Sequence, residues 1–372
     1  MDRRVPTVIM RGGTSRAIFF LETDLPAEGP ERDRVLLAAM GSPDRRQIDG
    51  LGGATSSTSK AAIIARGTGD IDIDIEYTFG QVGIDEPSVD YFSTCGNISA
   101  AVGPFAIDEG LVEASGSRTV VRIVNTNTGR IFHADLPVRN GRFEASGDYE
   151  ISGVPGSGSE IVLTYVDPAG ALTGLLTPSG NVLDTLEVDA LGEIEASIVD
   201  VTSLYAFVRL TDLGLVGCEA PHDLNTRPDL LERIEAVRAS AAIALGLAET
   251  PAEAARLPTT PRIVMVGPPL DSDDPNPTNL AVIAVSMGRI HETVPVTAAM
   301  CIAAAAQMPG TLLAEALRSH GGTPQSIRIG HPAGVIEVSA DVRSDGDTVE
   351  VVSVTSSRTA RRLMEGHVFV PE

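Results

Sequence analysis

Two segments of the chain read as helices with no polar face, and they constrain the fold more than any other feature. Asn97 to Glu109 is nearly all apolar and stops at Gly110, and Thr297 to Gln307 has the same character more than half of the chain later. A helix that is apolar on every side must be enclosed by other structure. Strand and turn signals surround both. In the first half they fall at Val5 to Met10, Ala17 to Leu21, Asp70 to Tyr77 with its strict acid/isoleucine alternation, Thr119 to Val124, Arg130 to Leu136 and Ile161 to Thr164. In the second half they fall at Ala206 to Arg209, Arg262 to Val266, Leu280 to Ser286, Ser326 to Ile329, Val335 to Ser339 and Thr348 to Val354. Amphipathic helices are expected at Pro30 to Met40, stopped by Gly41-Ser42-Pro43, and at Pro228 to Leu245. The expectation is an α+β chain of two equivalent domains, each a mixed curved sheet or barrel wrapped round a central apolar helix. A length of 372 residues suits two domains. The stretch Pro168 to Asp189, rich in Gly, Pro and Thr, places the boundary and gives domains 1–185 and 186–372, the last residues packing back on the first.

Charge excludes some partners. With 28 basic and 50 acidic residues the net charge is −22, which repels nucleic acid and anionic lipid alike. No apolar run approaches the ~20 residues that span a bilayer, and the opening MDRRVPTVIMRGG lacks an apolar targeting core. The expected location is cytoplasmic. The three cysteines, Cys95, Cys218 and Cys301, have no CxxC spacing, so free thiols are expected, with neither a disulfide framework nor a zinc site. Acidic runs such as Asp271 to Asp274 lack a calcium-loop pattern and read as solvated surface, so no metal is expected.

Lysine is nearly absent: Lys60 is the single one, and every other basic residue is arginine. A GC-rich genome accounts for the arginines but not for the lysine that stayed. An amine can lose its proton when desolvated and a guanidinium effectively cannot, so a site that needs a neutral amine base could not accept arginine. Lys60 closes a loop of glycines and hydroxyls, Asp49-Gly50-Leu51-Gly52-Gly53-Ala54-Thr55-Ser56-Ser57-Thr58-Ser59-Lys60. Its backbone N–H groups and the hydroxyls of Ser56, Ser57 and Ser59 beside one amine suit a carboxylate-bearing ligand, whereas P-loop spacing is absent. The bland alternative is a flexible, solvated loop.

The cysteines differ in setting. Cys218, in Leu215-Val216-Gly217-Cys218, reads as a small buried hydrophobe. Cys95 precedes Gly96 and Asn97 at a helix start, where the dipole and unsatisfied N–H groups favour an anion. Cys301 is expected in the first turn of the second apolar helix, with Thr297 as N-cap. Facing each other, the two thiols would form an acid/base pair. Thinner candidates are the turn Arg11-Gly12-Gly13-Thr14-Ser15-Arg16 and the loop histidines His291 and His331.

These blocks carry a resemblance. The Asp49 to Lys60 loop, Cys95-Gly96-Asn97-Ile98-Ser99-Ala100-Ala101-Val102-Gly103-Pro104-Phe105-Ala106 and Arg11-Gly12-Gly13-Thr14-Ser15 resemble the PrpF family, as do Asn125-Thr126-Asn127-Thr128-Gly129, Gly153-Val154-Pro155-Gly156, Ala298 to Gly310 and Gly330-His331-Pro332. That family comprises 2-methylaconitate cis-trans isomerase, methylitaconate isomerase and oxalomesaconate tautomerase, on the diaminopimelate epimerase fold. Two positions depart from its pattern: Arg16, where lysine is frequent, and Ala333, where serine is expected.

The resemblance implies a cofactor-independent proton and double-bond shift in a small unsaturated di- or tricarboxylate, most of all 2-methylaconitate in propionate metabolism. Methylitaconate and 4-oxalomesaconate are the alternatives. Lys60 and Cys95 would be base and acid in either order, and Cys301 a second acid/base or part of an anion site. Thr14, Ser15, Ser56, Ser57, Ser59, Gly96, Asn97, His291 and His331 would bind substrate, and there is room for a homodimer. Three rivals stay open: an amino-acid epimerase working through Cys95 and Cys301, a carboxylate-binding paralogue without turnover, and pyridoxal phosphate on Lys60.

Overall fold

A computed structural model describes residues 3–68, 72–91, 94–189, 191–269, 277–286, 288–318, 326–345 and 348–371. The chain divides into two compact units, one of residues 1–166 with 357–372 and the other of 167–356. The division thus falls at 166/167, and the chain returns to the first unit after residue 356.

Counting strands of five residues or more, the first unit contains β1 (Arg3–Gly12), β2 (Ser15–Leu21), β3 (Lys60–Arg66), β4 (Ile75–Val82), β5 (Arg118–Asn125), β6 (Arg130–Arg139) and β7 (Ile161–Val166). Helix α1 (Pro30–Met40) lies between β2 and β3, and α2 (Gly96–Asp108) lies between β4 and β5. In the second unit β8 (Asp184–Val188), β9 (Gly192–Val201) and β10 (Ser203–Arg209) precede α3 (Pro228–Ala244) and β11 (Arg262–Gly267). Then come β12 (Leu280–Ser286), α4 (Val296–Ala305), α5 (Leu312–Arg318), β13 (Ser326–His331), β14 (Gly334–Asp345) and β15 (Thr348–Arg358). The final strand, β16 (Ala360–Val370), belongs to the first unit.

Pairing shows that the two units share one plan. From β1 to β7 successive partners run antiparallel, parallel, antiparallel, parallel, antiparallel, antiparallel. From β9 to β15 the order is the same. Each first strand also gains an antiparallel outer neighbour, β16 on β1 and β8 on β9. Each unit therefore carries a mixed sheet with its apolar helix in the same place in the order.

The two apolar helices are enclosed as their sequences require. Helix α2 packs against β1, β2, β3, β6, β7 and β16, and all ten residues of α4 are buried, against β9, β10, β13, β14 and α5. Ile98, Val102, Phe105 and Ile107 of α2 are all at most 3% exposed, and Phe105 meets Phe19 with ring centroids 5.3 Å apart. Returning four such side chains to water would cost roughly 6–12 kcal/mol, about the net stability of a whole domain, so α2 exists only inside its sheet.

Some expectations need correction. The alternation at Asp70 to Tyr77 meets a strand only in its last three residues: Asp70 and Ile71 lie outside the described residues, and β4 begins at Ile75. The sequence pattern also passed over β8, β9 and β16. In β16 the reason is visible, because most of Ala360–Val370 is exposed and shows no period of two. Cys218 is exposed, since Leu215 takes the buried place after the 3-10 turn Leu210–Leu213. Helix α4 starts at Val296 with Pro295 as N-cap, so Thr297 does not cap it and Cys301 is in its second turn.

The tight turn between β1 and β2 fixes the start of α2. A Cβ on Gly12 would lie 2.4 Å from the Asn97 carbonyl oxygen, and one on Gly13, at φ +50°, 2.1 Å from Asn97 Oδ1. Gly12→Ala must push the helix backbone away, so it should cost roughly 1–3 kcal/mol, as overpacking does. Urea unfolding would measure this, and an unchanged midpoint would show that the turn does not hold the helix.

Candidate active site

Lys60 is the first residue of β3. Its neighbours Ala61 and Ile63 join the cluster around Leu36 and Met40 of α1, so strand alternation turns Lys60 to the opposite face, the one that α2 covers. The side chain is buried, its Nζ donates to Gln81 Oε1 at 2.6 Å and lies 5.0 Å from the centre of the Phe79 ring. Gln81 stands directly across the β3–β4 ladder and donates from Nε2 to the Ser59 carbonyl at 2.9 Å. Asn127 clamps the same strand, accepting from Phe79 N and donating to the carbonyls of Phe79 and Tyr91. A β-ladder therefore sets the position of the amine.

The loop before Lys60 is built rather than slack. Gln47, 1% exposed, accepts at Oε1 from Ala54 N and Ser59 Oγ, both at 2.7 Å, and donates to Ser42 Oγ at 3.0 Å. Leu51 N and Gly52 N donate to carbonyls of the last turn of α1. The hydroxyls of Thr55, Ser57 and Thr58 hydrogen-bond one another, Ser56 is exposed, and the Ser57 carbonyl accepts from Arg16 N. Ser59, fully buried, directs its hydroxyl to Gln47 and so supports the loop from within.

A second group assembles at the start of α2. Cys95 is the N-cap, half-buried and without a side-chain capping bond, and its carbonyl accepts from Ser99 N and Ser99 Oγ. Asn97 Nδ2 donates to Thr14 Oγ1 at 3.0 Å, and Ser15, buried, opens β2 opposite Gly12. Thr14, Ser15, Gly96 and Asn97 are thus brought together beside Cys95, around a helix terminus whose first N–H groups have no partner within the helix. Beneath them lie the phenols of Tyr77 and Tyr165, close to Ser99 and Cys95, neither oxygen in a well-formed hydrogen bond. Burial pushes both phenols far up from their ordinary value. Sequence reasoning missed Gln47, Gln81, Tyr77 and Tyr165, because nothing local marks a residue whose role depends on strand register.

The remaining candidates are in the second unit. Cys301 is fully buried and donates to the Val199 carbonyl at 3.6 Å; burial pushes its thiol far up, and the Asp200 carboxylate adds to the shift. Asp200 is itself committed, accepting from Leu172 N, Thr173 N and Thr173 Oγ1. Thr297 Oγ1 pairs with the Tyr205 hydroxyl at 2.8 Å. The position that matches Cys95, the N-cap of α4, is Pro295. His291 is half-buried, its backbone N on the Ala284 carbonyl, and His331 ends β13 opposite Gly334. Among the described residues no group of three or more His, Cys, Asp or Glu side chains could hold a metal ion, and no helix is long and apolar enough to cross a membrane.

Gln47→Ala would leave Ser59 Oγ and Ala54 N without their acceptor. A loss of about 1–3 kcal/mol is expected, read by chemical denaturation, with faster proteolysis between residues 41 and 59.

Comparison with known proteins finds relatives over the full length of the chain. The profile described as PrpF protein matches residues 2–371. The chain is 44% identical to 3-methylitaconate isomerase of Eubacterium barkeri, covering 99% of this chain and 97% of the relative. It is 38% identical to 2-methyl-aconitate isomerase of Shewanella oneidensis, with 99% and 97% covered. It is also 38% identical to 4-oxalomesaconate tautomerase of Pseudomonas putida, with 99% and 96% covered. The crystal structure of a methylitaconate-delta-isomerase superposes with a TM-score of 0.82 at 43% identity, covering 99% of this chain and 96% of that one. A hydroxyproline epimerase from Agrobacterium vitis shares the fold, with a TM-score of 0.57 at 12% identity. Matched by this profile over residues 2–371 and by these isomerases over nearly its whole length, the chain belongs to the PrpF family.

Proposed function

We propose that this protein is a cofactor-independent isomerase that moves a proton and a double bond in a small unsaturated di- or tricarboxylate. The observation that carries the reading is the seating of Lys60: one amine, in a chain otherwise rid of lysine, is buried and fixed by Gln81 on the sheet face that α2 covers. The proposed substrate is 2-methylaconitate. Methylitaconate is the second reading, favoured by the 44% identity to a 3-methylitaconate isomerase.

The chemistry follows from acidity. A C–H next to a carboxylate and a double bond ionises only if the dienolate charge is stabilised as it forms, and the free N–H groups at the start of α2 supply such stabilisation. Lys60, as the neutral amine, takes the proton and becomes ammonium. The electron pair spreads over the dienolate, the former double bond turns as a single bond, and Cys95 Sγ–H returns a proton to carbon. Transfer from the ammonium to the thiolate restores the starting state. The roles of Lys60 and Cys95 can also be reversed without breaking the balance. Thr14, Ser15, Ser56, Ser57, Gly96 and Asn97 are assigned to substrate binding, and Ser59 to support of the loop. In this reading Cys301 is a core thiol. Its burial beside Asp200 and the proline at the matching helix start both count against an opposed two-thiol epimerase.

Proton NMR in deuterated buffer, with 2-methylaconitate, methylitaconate and oxalomesaconate offered separately, tests the proposal. Deuterium uptake and isomerisation are expected in one acid, falling about 10²–10⁴-fold in Lys60→Ala, as for loss of a general base. Full activity in Lys60→Ala would overturn the mechanism. Cys301→Ala should retain activity within about tenfold while Cys95→Ser falls further, and the opposite ranking would favour a two-thiol reaction.

A further inference from the structure

Among the described residues, the first unit contains a buried guanidinium with no counter-charge beside it. Of the buried arginines, Arg32 pairs with Glu22 at 3.1 Å and Arg238 is held by both oxygens of Glu235. Arg358, the last residue of β15 and 7% exposed, donates from one terminal nitrogen to the Ser357 carbonyl at 2.7 Å. Among the described residues no carboxylate lies within ion-pair distance of it. Burial pulls its guanidinium down to about 10, and the nearby phenols of Tyr149 and Tyr165 offset only part of that. A buried charge without a partner opposes folding, so a fold that keeps one gains something other than stability.

Two separate paths connect Arg358 to the start of α2. Tyr165, beside Arg358, also lies beside Cys95 and Ser99 and has a hydroxyl with no well-formed hydrogen bond. The following residue, Thr359, accepts at its carbonyl from Gly13 N at 2.9 Å and from Arg11, and Ala360 pairs with Gly12. Gly12 and Gly13 are the residues that close upon Asn97. An anion near Cys95 would therefore meet the N–H groups of a helix terminus and stand beside the phenol of Tyr165, whose other neighbour is the guanidinium of Arg358.

We propose that Arg358 is a carboxylate-binding residue, whose guanidinium supplies the counter-charge for one carboxylate of a di- or tricarboxylate bound at the start of α2. The assignment rests on the isomerase reading above and extends it, because it gives a substrate with several carboxylates a fixed cation apart from the helix terminus. A guanidinium also offers a carboxylate two parallel N–H donors, which an ammonium does not.

Binding can be tested apart from turnover, in Lys60→Ala, with tricarballylate as a saturated tricarboxylate that cannot isomerise. Calorimetry and ligand-induced thermal shift should show binding by Lys60→Ala, weakened at least tenfold when Arg358→Gln is added. Arg358→Lys, which keeps the charge and guards against misfolding of the neutral variant, should bind with intermediate affinity. In the otherwise native enzyme Arg358→Lys should raise KM several-fold with kcat within about threefold, since charge without the fork weakens binding more than chemistry. Undiminished tricarballylate binding by the Gln variant would overturn the role of Arg358 alone. Absence of binding by the Lys60→Ala parent would overturn both this role and the carboxylate-isomerase reading.

Discussion

Enclosure of two helices that have no polar face is the constraint on which the rest of this structure depends. Neither α2 nor α4 can meet water along its length, so each unit must bend a sheet around one of them. The pairing order, antiparallel and parallel in the same succession in both units, is one solution used twice. What enclosure leaves open is the helix terminus, where N–H groups emerge unpaired from an otherwise apolar environment. An anion is the natural occupant of such a place, and the family's acids are polyanions.

The two units differ at the start of their apolar helices. At the start of α2 stands a half-buried thiol, and at the start of α4 a proline. The first unit also holds the amine, at the head of β3, where the ladder to Gln81 sets its position and the packed loop below gives it no slack. The placing of the amine comes from strand register and buried amides, which are stiff, more than from the loop's glycines.

Much of this was legible in the sequence, for definite reasons. The apolar helices announce themselves by composition, and Pro30–Met40 by its proline start and glycine stop, so they were found almost to the residue. Lys60 was visible because it is alone, and Cys95 because Gly-Asn after it begins a helix. What failed did so where tertiary context decides. Cys301 follows Thr297 at cap-like spacing, yet the helix begins before that threonine, which buries the thiol against Val199 and Asp200. Cys218 sits among apolar letters but on the outside of a turn. Gln47, Gln81 and Arg358 have no local signature at all. Their meaning comes from partners 12, 21 and more residues away, or, for Arg358, from a carboxylate that the fold does not provide.

The edge strand β16 has a further consequence. It pairs with β1 from Arg3 opposite Val370 to Gly12 opposite Ala360, so the first unit is stitched from both ends of the sequence, while residues 167–356 of the second are continuous. During synthesis the second unit has all its strands before the first has its outer one. The unit that carries the lysine is therefore completed last, with the open side of β1 exposed until the final strand arrives.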